Sequence, residues 1–246
     1  MNKTAVIIGA GSGLGFGLAR KFKNEDFTVV LVARNEESLK EMAEQLGENV
    51  FYRSADASDT ENLIKAIEDI KKEFGTPDVV IYNVGITTPD VEKLTAEILV
   101  NHFKADVAGA YTTAATFADE NFAEKKGAII FTGGGLAMYP SDGFIPLSID
   151  KAALRSLAYI LNNKYKERGI FVGIVEVCGP INGSPYFSAS NIAETYWQMY
   201  LNRDKCEYAY ETPELSIQNN DYGKYENKSA FYWGEVYNFI AEDNKK

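Results

Sequence analysis

The chain has 246 residues, 46% hydrophobic and 24% charged, enough apolar material for one large core and, by length, for one α/β domain spanning 1–246 rather than two. Its formal charge of −10 disfavours nucleic acid or an anionic membrane as partner, and its two cysteines, Cys178 and Cys206, suit a reducing cytoplasm better than a disulfide framework. No leader pattern, repeat, low-complexity linker or membrane-length apolar run interrupts the sequence. The first predicted element is the apolar run from Lys3 to Ile8, followed at once by Gly9, Gly11, Gly13, Gly15 and Gly17. A helix-period pattern then places Leu14, Leu18 and Phe22 on one face, so the stretch predicts strand, tight turn, helix. Glycines let the main chain come close to a pyrophosphate, and the helix start offers free N–H groups and partial positive charge. The candidate phosphate cradle is therefore Gly9, Gly11, Ser12, Gly13, Leu14 and Gly15.

Leu14 stands where the third glycine of G-x-G-x-x-G would fall. Gly9, Gly13 and Gly15, spaced by three residues and then one, instead resemble the short-chain dehydrogenase/reductase family. Phe27–Val32 is an unbroken apolar run, as a parallel strand buried on both faces requires. It ends in Ala33-Arg34-Asn35. A carboxylate at this junction would bind adenosine ribose hydroxyls. Ala33 removes that acceptor and Arg34 offers a planar fork of donors to a 2′-phosphate, favouring NADP(H) over NAD(H). A second helix follows with Leu39, Met42, Ala43 and Leu46 on one face, Asn35 as cap and Gly47 as stop. Strand three, 49–54, runs into Asp56 and Ala57. By the resemblance, Asp56 holds the adenine amino group. Ser58 and Glu61 form a capping box for the next helix, which carries Leu63, Ile67, Ile70 and Phe74. Asp59 suits capping better than Asp56 does.

Strand four, 78–82, ends in Tyr82-Asn83-Val84-Gly85, which resembles the family's Asn-Asn-Ala-Gly at the cofactor floor, with Asn83 and Gly85 matching. Four βα units in succession imply a doubly wound parallel sheet, a Rossmann fold with helices on both faces. A long helical region is expected over 94–125, then strand five at 127–131. His102, the only histidine, has no partners at ligand spacing; it receives no role, and no metal site is expected. The surroundings of Asp106 resemble the family helix bearing a proton-relay asparagine, which makes Asp106 the equivalent position; Asn101 is five residues too early.

In the family, a serine after strand five orients the substrate oxygen, a tyrosine transfers the proton, and a lysine four residues on lowers the tyrosine pKa and holds the nicotinamide ribose. Pro146 to Leu154 resembles that helix and Lys151 matches the lysine. The tyrosine position holds Leu147 and the serine position falls on Gly134, as in an atypical subgroup with a triple glycine here. Neither residue can perform its counterpart's chemistry. Thr132, Tyr139, Ser141 and Ser148 are the nearby hydroxyl substitutes, with Tyr139 first, and Lys151 is itself a candidate acid. Strand six, 170–177, leads to Cys178-Gly179-Pro180-Ile181, where Gly179 and Ile181 would face the nicotinamide carboxamide. A lone Cys178 at a strand end is more often an inert small hydrophobe than a nucleophile. The aromatic-rich segment 185–205 is expected to form a substrate lid, with a helix beginning at Asn191, and 206–211 a seventh strand. Beyond 212 lies an extension of unknown role, with a loop over 218–228 and a terminal helix over 229–240. The resemblance implies an NADP(H)-dependent oxidoreductase on a small carbonyl or alcohol, or else a non-catalytic NADP(H)-binding sensor or regulatory subunit. It also implies a homodimer or homotetramer.

Overall fold

In the computed structural model, which describes residues 3–87 and 94–212, the apolar runs become β1 (Thr4–Ile8), β2 (Thr28–Ala33), β3 (Val50–Ser54), β4 (Val79–Tyr82), β5 (Ala128–Gly134), β6 (Phe171–Val177) and β7 (Glu207–Tyr210). They form one sheet in the order β3-β2-β1-β4-β5-β6-β7, and every neighbouring pair is parallel. Val, Ile and Leu fill β1, β2 and β4 without alternation because both faces of such a sheet are covered. The strand order reverses between β1 and β4, the switch point at which α/β sheets open a crevice beyond their carboxyl ends.

Two cores flank the sheet. On one face α1 (Leu14–Asn24), α2 (Glu36–Leu46) and α8 (Ala189–Asn202) bury Leu18, Leu39 and Tyr196. On the other, α3 (Thr60–Phe74), α5 (Gly109–Phe117) and α7 (Ile145–Tyr165) bury Ile67, Ala114 and Leu154. Asn35 caps α2 by accepting from Ser38 N–H, as expected. The capping box does not form. Ser58 is held through its hydroxyl and N–H by Asp56 Oδ1, so Asp59 caps α3 by accepting from Asn62 N–H.

The single long helix expected over 94–125 is broken. It comprises α4 (Ala96–Phe103), a π-helical turn (Lys104–Ala108), α5 and α6 (Glu120–Glu124). Asp119 stops the run by capping α6 at Phe122 N–H. Within the π turn, the Tyr82 hydroxyl donates to the Ala105 carbonyl, a contact between residues 23 apart that helical periodicity does not encode. Such turns recur where a helix must redirect a side chain.

Helix α8 begins at Ala189, capped by Ser188, two residues before the expected start. Its Tyr200 meets Phe22 and Phe27 edge-on at 6.0 and 5.7 Å, and Trp197 meets them at 5.5 and 5.9 Å. Each such pair adds about 1 kcal/mol to the burial itself. Residues 189–202 of the segment expected as a lid therefore clamp α1 to the sheet, while the chain before them carries Pro180 and Ile181 to the crevice. The loop and terminal helix expected beyond 212 lie outside the described residues. Among the described residues no helix is long and apolar enough to cross a membrane, and no group of three or more His, Cys, Asp or Glu is placed to hold a metal ion.

Candidate active site

Helix α1 differs from α2, α3 and α8 at its start. It alone of the four has no side-chain cap, so amide groups of its first turn are left for an outside acceptor. Gly9 makes the preceding turn with φ +86°, and a Cβ there would lie 2.6 Å from the backbone of Asn83 and Val84. The glycine turn thus sits directly on the end of β4. A hydrogen-bonded chain fixes it: Asn83 Nδ2 donates to Gly9 O at 2.9 Å, Thr132 Oγ1 donates to Asn83 Oδ1 at 2.9 Å, and Tyr196 OH donates to Thr132 Oγ1 at 2.8 Å.

Above this network lies a cavity of about 560 Å³, within the range of small-molecule and cofactor sites. Of the residues expected at the cofactor, it is lined by Gly9, Gly11, Ser12, Gly13, Leu14, Gly15, Asn83, Gly85, Lys151, Gly179 and Ile181. Three others lie outside its wall. Arg34 is exposed at the end of β2, its carbonyl accepting from Ser54 Oγ at 2.9 Å, and Asp56 and Ala57 are half-buried beyond β3. Asp56 loses solvation there, yet the Ser58 hydroxyl and N–H and the charge of Arg34 hold its carboxyl below the usual range. Arg34 and Asp56 thus face one another electrostatically beside the crevice.

Lys151 is buried, 6% exposed, and its Nζ donates to Thr132 O at 2.8 Å. It is the one ionisable side chain on the cavity wall among the described residues. Gly134 and Leu147 also line the cavity, with Thr87, Gly133, Gly135, Leu136 and Phe144. Asp106 is fully buried behind Gly85, both carboxyl oxygens accepting from Ile86 N–H at 3.2 Å. A Cβ on Gly85 would lie 3.2 Å from Lys151 Nζ and 4.0 Å from Asp106 Oδ2, so the two groups flank that glycine. Burial pushes the Asp106 carboxyl up, opposed by Lys151, the Ile86 N–H and His102.

Tyr139 is not brought to the cavity. Its N–H donates to Gly135 O, closing a tight turn after β5, and Leu136 and Phe144 form the wall instead. Ser141 and Ser148 bond to one another's segment, Ser141 N–H donating to Ser148 Oγ at 3.1 Å. Cys178 is 2% exposed, and burial with nearby Glu176 pushes its thiol well above the ordinary value, which makes it inert packing.

Sequence inspection missed two buried acids near Lys151. Asp150 is 1% exposed with neither carboxyl oxygen hydrogen-bonded. Burial, then repulsion from Asp106, pushes it up to about 7 against the pull of Lys151. Glu176 is fully buried on β6 with Oε1 unpartnered. Its only signal was one charge inside an otherwise apolar strand. Because Asp150 holds its proton longer folded than unfolded, stability falls as pH rises from about 4 to about 7 and levels off above. Asp150→Asn is expected to match the parent near pH 4 and to exceed it by about 2 kcal/mol at pH 8, read by urea unfolding at each pH. Equal gains at both pH values would refute the titration.

The short chain dehydrogenase family model matches residues 3–193. An oxidoreductase of Sarocladium schorii is 30% identical over 178 residues, covering 70% of each chain. A 3-ketodihydrosphingosine reductase of Debaryomyces hansenii is 28% identical over 183 residues, 66% of this chain but 55% of the reductase. An uncharacterized oxidoreductase of Staphylococcus epidermidis is 35% identical over 105 residues, spanning 46% of its length. Among solved structures, an alcohol dehydrogenase of Thermococcus sibiricus complexed with 5-hydroxy-NADP superposes with a TM-score of 0.75 at 22% identity, over 86% of this chain and 98% of that one. A metagenomic short-chain oxidoreductase in complex with NADP gives 0.75 at 20% identity, over 84% and 96%. At these identities the structural likeness establishes the fold.

Proposed function

This chain belongs to the short-chain dehydrogenase family, and from that premise we propose that its cavity binds NADP(H) and passes hydride between the cofactor and a small carbonyl or alcohol. The observation that supports this best is the cavity itself, where an uncapped helix start, a glycine turn and, among the described residues, a single buried ammonium group converge at the sheet's switch point. The residues fit the cofactor. The turn from Gly9 to Gly15 would take the pyrophosphate, Lys151 the nicotinamide ribose, and Gly179 and Ile181 the carboxamide. A Cβ on Gly11 would meet nothing within 4 Å, so the main chain there is open to a ligand. The cofactor supplies the hydride; the protein must orient the carbonyl and move one proton.

Leu147 and Gly134 carry no group for that proton transfer, and we propose that Lys151 takes the task, its Nζ donating to the substrate oxygen during reduction. One of its three N–H groups is engaged by Thr132 O, which leaves donors for ribose and substrate. Asp106 lies across Gly85 from the lysine, and Lys151 would regain its proton from water entering the open cavity. The same Leu147 and Gly134 favour a second possibility, an NADP(H)-binding protein without turnover. NADPH consumption with a panel of aldehydes and ketones separates the two, since binding without consumption leaves only the second.

Preference for NADP(H) rests on Arg34 and on the lack of a carboxylate at Ala33. Arg34→Ala is expected to weaken NADPH binding about 30-fold by calorimetry, the loss of a charge-assisted bidentate contact, and to leave NADH affinity within about twofold. Equal weakening for both nucleotides would remove Arg34 from the 2′-phosphate site. Failure of the parent chain to bind either nucleotide would overturn the cofactor assignment.

A further inference from the structure

We propose that Glu176 is a positioning residue of the cofactor site, acting through Gly134 and Lys151, and that its proton sets how the cavity discriminates between reduced and oxidised nicotinamide. The inference rests on the cofactor assignment above and adds to it a residue outside the cavity wall. In register, Glu176 on β6 stands opposite Gly133 on β5. A Cβ on Gly133 would lie 2.2 Å from Glu176 Oε2, so the carboxyl occupies the space that any side chain at 133 would take. The Gly134 N–H donates to Oε2 at 2.5 Å, while Oε1 has no partner and no solvent contact. A Cβ on Gly134 would lie 3.6 Å from Lys151 Cγ. The glycine pair is thus a bare backbone partition, with the acid on one side, the cavity on the other and the lysine stem packed along it.

The charged and titratable groups facing Glu176 are Lys151 and Arg155 from α7, Glu207 from β7, Cys178 just past the end of β6 and Tyr196 from α8. Arg155 is engaged by Glu207 at 2.6 and 3.2 Å. Lys151, whose stem packs along Gly134, is the one of these two cations that lines the cavity. Burial, then repulsion from Glu207, pushes Glu176 up to about 8, against the Gly134 N–H, Lys151 and Arg155. At neutral pH the acid is uncharged and no anion stands behind the partition. Above that range an anion stands behind the partition. The oxidised nicotinamide ring is cationic and the reduced ring neutral, so the anion favours the oxidised form selectively.

The test is calorimetric titration of the full chain with NADP+ and with NADPH from about pH 6.5 to about pH 9.5. The ratio of the two dissociation constants cancels titrations that both nucleotides sense equally. In the parent chain the ratio is expected to shift on the order of tenfold toward NADP+ across this range, and in Glu176→Gln, which keeps an acceptor for Gly134, to stay at its low-pH value. A flat ratio in the parent overturns the inference without recourse to any variant, as does a pH-dependent ratio that survives in Glu176→Gln. Binding of neither nucleotide would overturn the cofactor assignment and this inference together; tight binding of both with a flat ratio overturns this inference alone.

Discussion

Lys151→Met is expected to bind NADPH at least about tenfold more weakly than the parent chain and to reduce carbonyl substrates about 10³-fold more slowly. The size of the effect follows from isolation. No other ionisable side chain lines the cavity among the described residues, so nothing nearby can assume either the ribose contact or the proton transfer. Methionine keeps the volume and the apolar stem against Gly134 while removing the ammonium and its bond to Thr132 O. Removing the ammonium also takes a positive partner from the buried Asp106 and Asp150 carboxyls, so the variant should be less stable than the parent, by about 3 kcal/mol, and thermal unfolding fixes the temperature at which it is folded and its binding can be read. Calorimetry, steady-state rates and thermal unfolding on the one variant make three separate readings. Unchanged binding and turnover would place the chemistry elsewhere; lost turnover with unchanged binding would confine Lys151 to proton transfer.

A comparable effect, of different origin, is expected at the glycine turn. Gly9→Ala should cost about 2 to 5 kcal/mol of stability, the sum of a left-handed backbone penalty and an overlap with main chain that cannot swing aside. The atoms in the way are the carbonyl carbon of Asn83 and the nitrogen of Val84, each 2.6 Å from the new Cβ. Gly11→Ala should fold as the parent does, since a Cβ there meets nothing within 4 Å. It should nevertheless weaken NADPH binding, because Gly11 lines the cavity. Urea unfolding and calorimetry on the pair separate a glycine required by the fold from one required by the ligand. Equal stabilities for the two variants would contradict the turn geometry.

The wall of the candidate site was legible in sequence wherever its residues adjoin a patterned element. The turn after β1, Asn83 and Gly85 after β4, Lys151 on α7, and Gly179 and Ile181 after β6 each follow or precede a strongly patterned element, and eleven of the expected cofactor residues share one cavity wall. Tyr139 illustrates the opposite case. A hydroxyl between β5 and the lysine helix looks available on paper, but the hydrogen bond to Gly135 O closes a turn that leaves the wall to Leu136 and Phe144. The break in the 94–125 region was equally hidden, since Tyr82 reaches Ala105 from another element.

What the sequence by itself determined was the parallel, doubly wound sheet, the glycine turn that joins β1 to α1, and the cap at Asn35. These depend on residues within one helical turn or one strand of each other, where steric preference and periodicity act directly. The tertiary structure alone decided that Glu176 fills the space opposite Gly133, that Asp106 and Asp150 lie buried near Lys151, and that Tyr196 secures Thr132 from 64 residues away. Protonation follows from the same cause. A carboxyl's charge state is set by the solvent removed from it and by the charges brought near it, and both are fixed only when distant segments pack together.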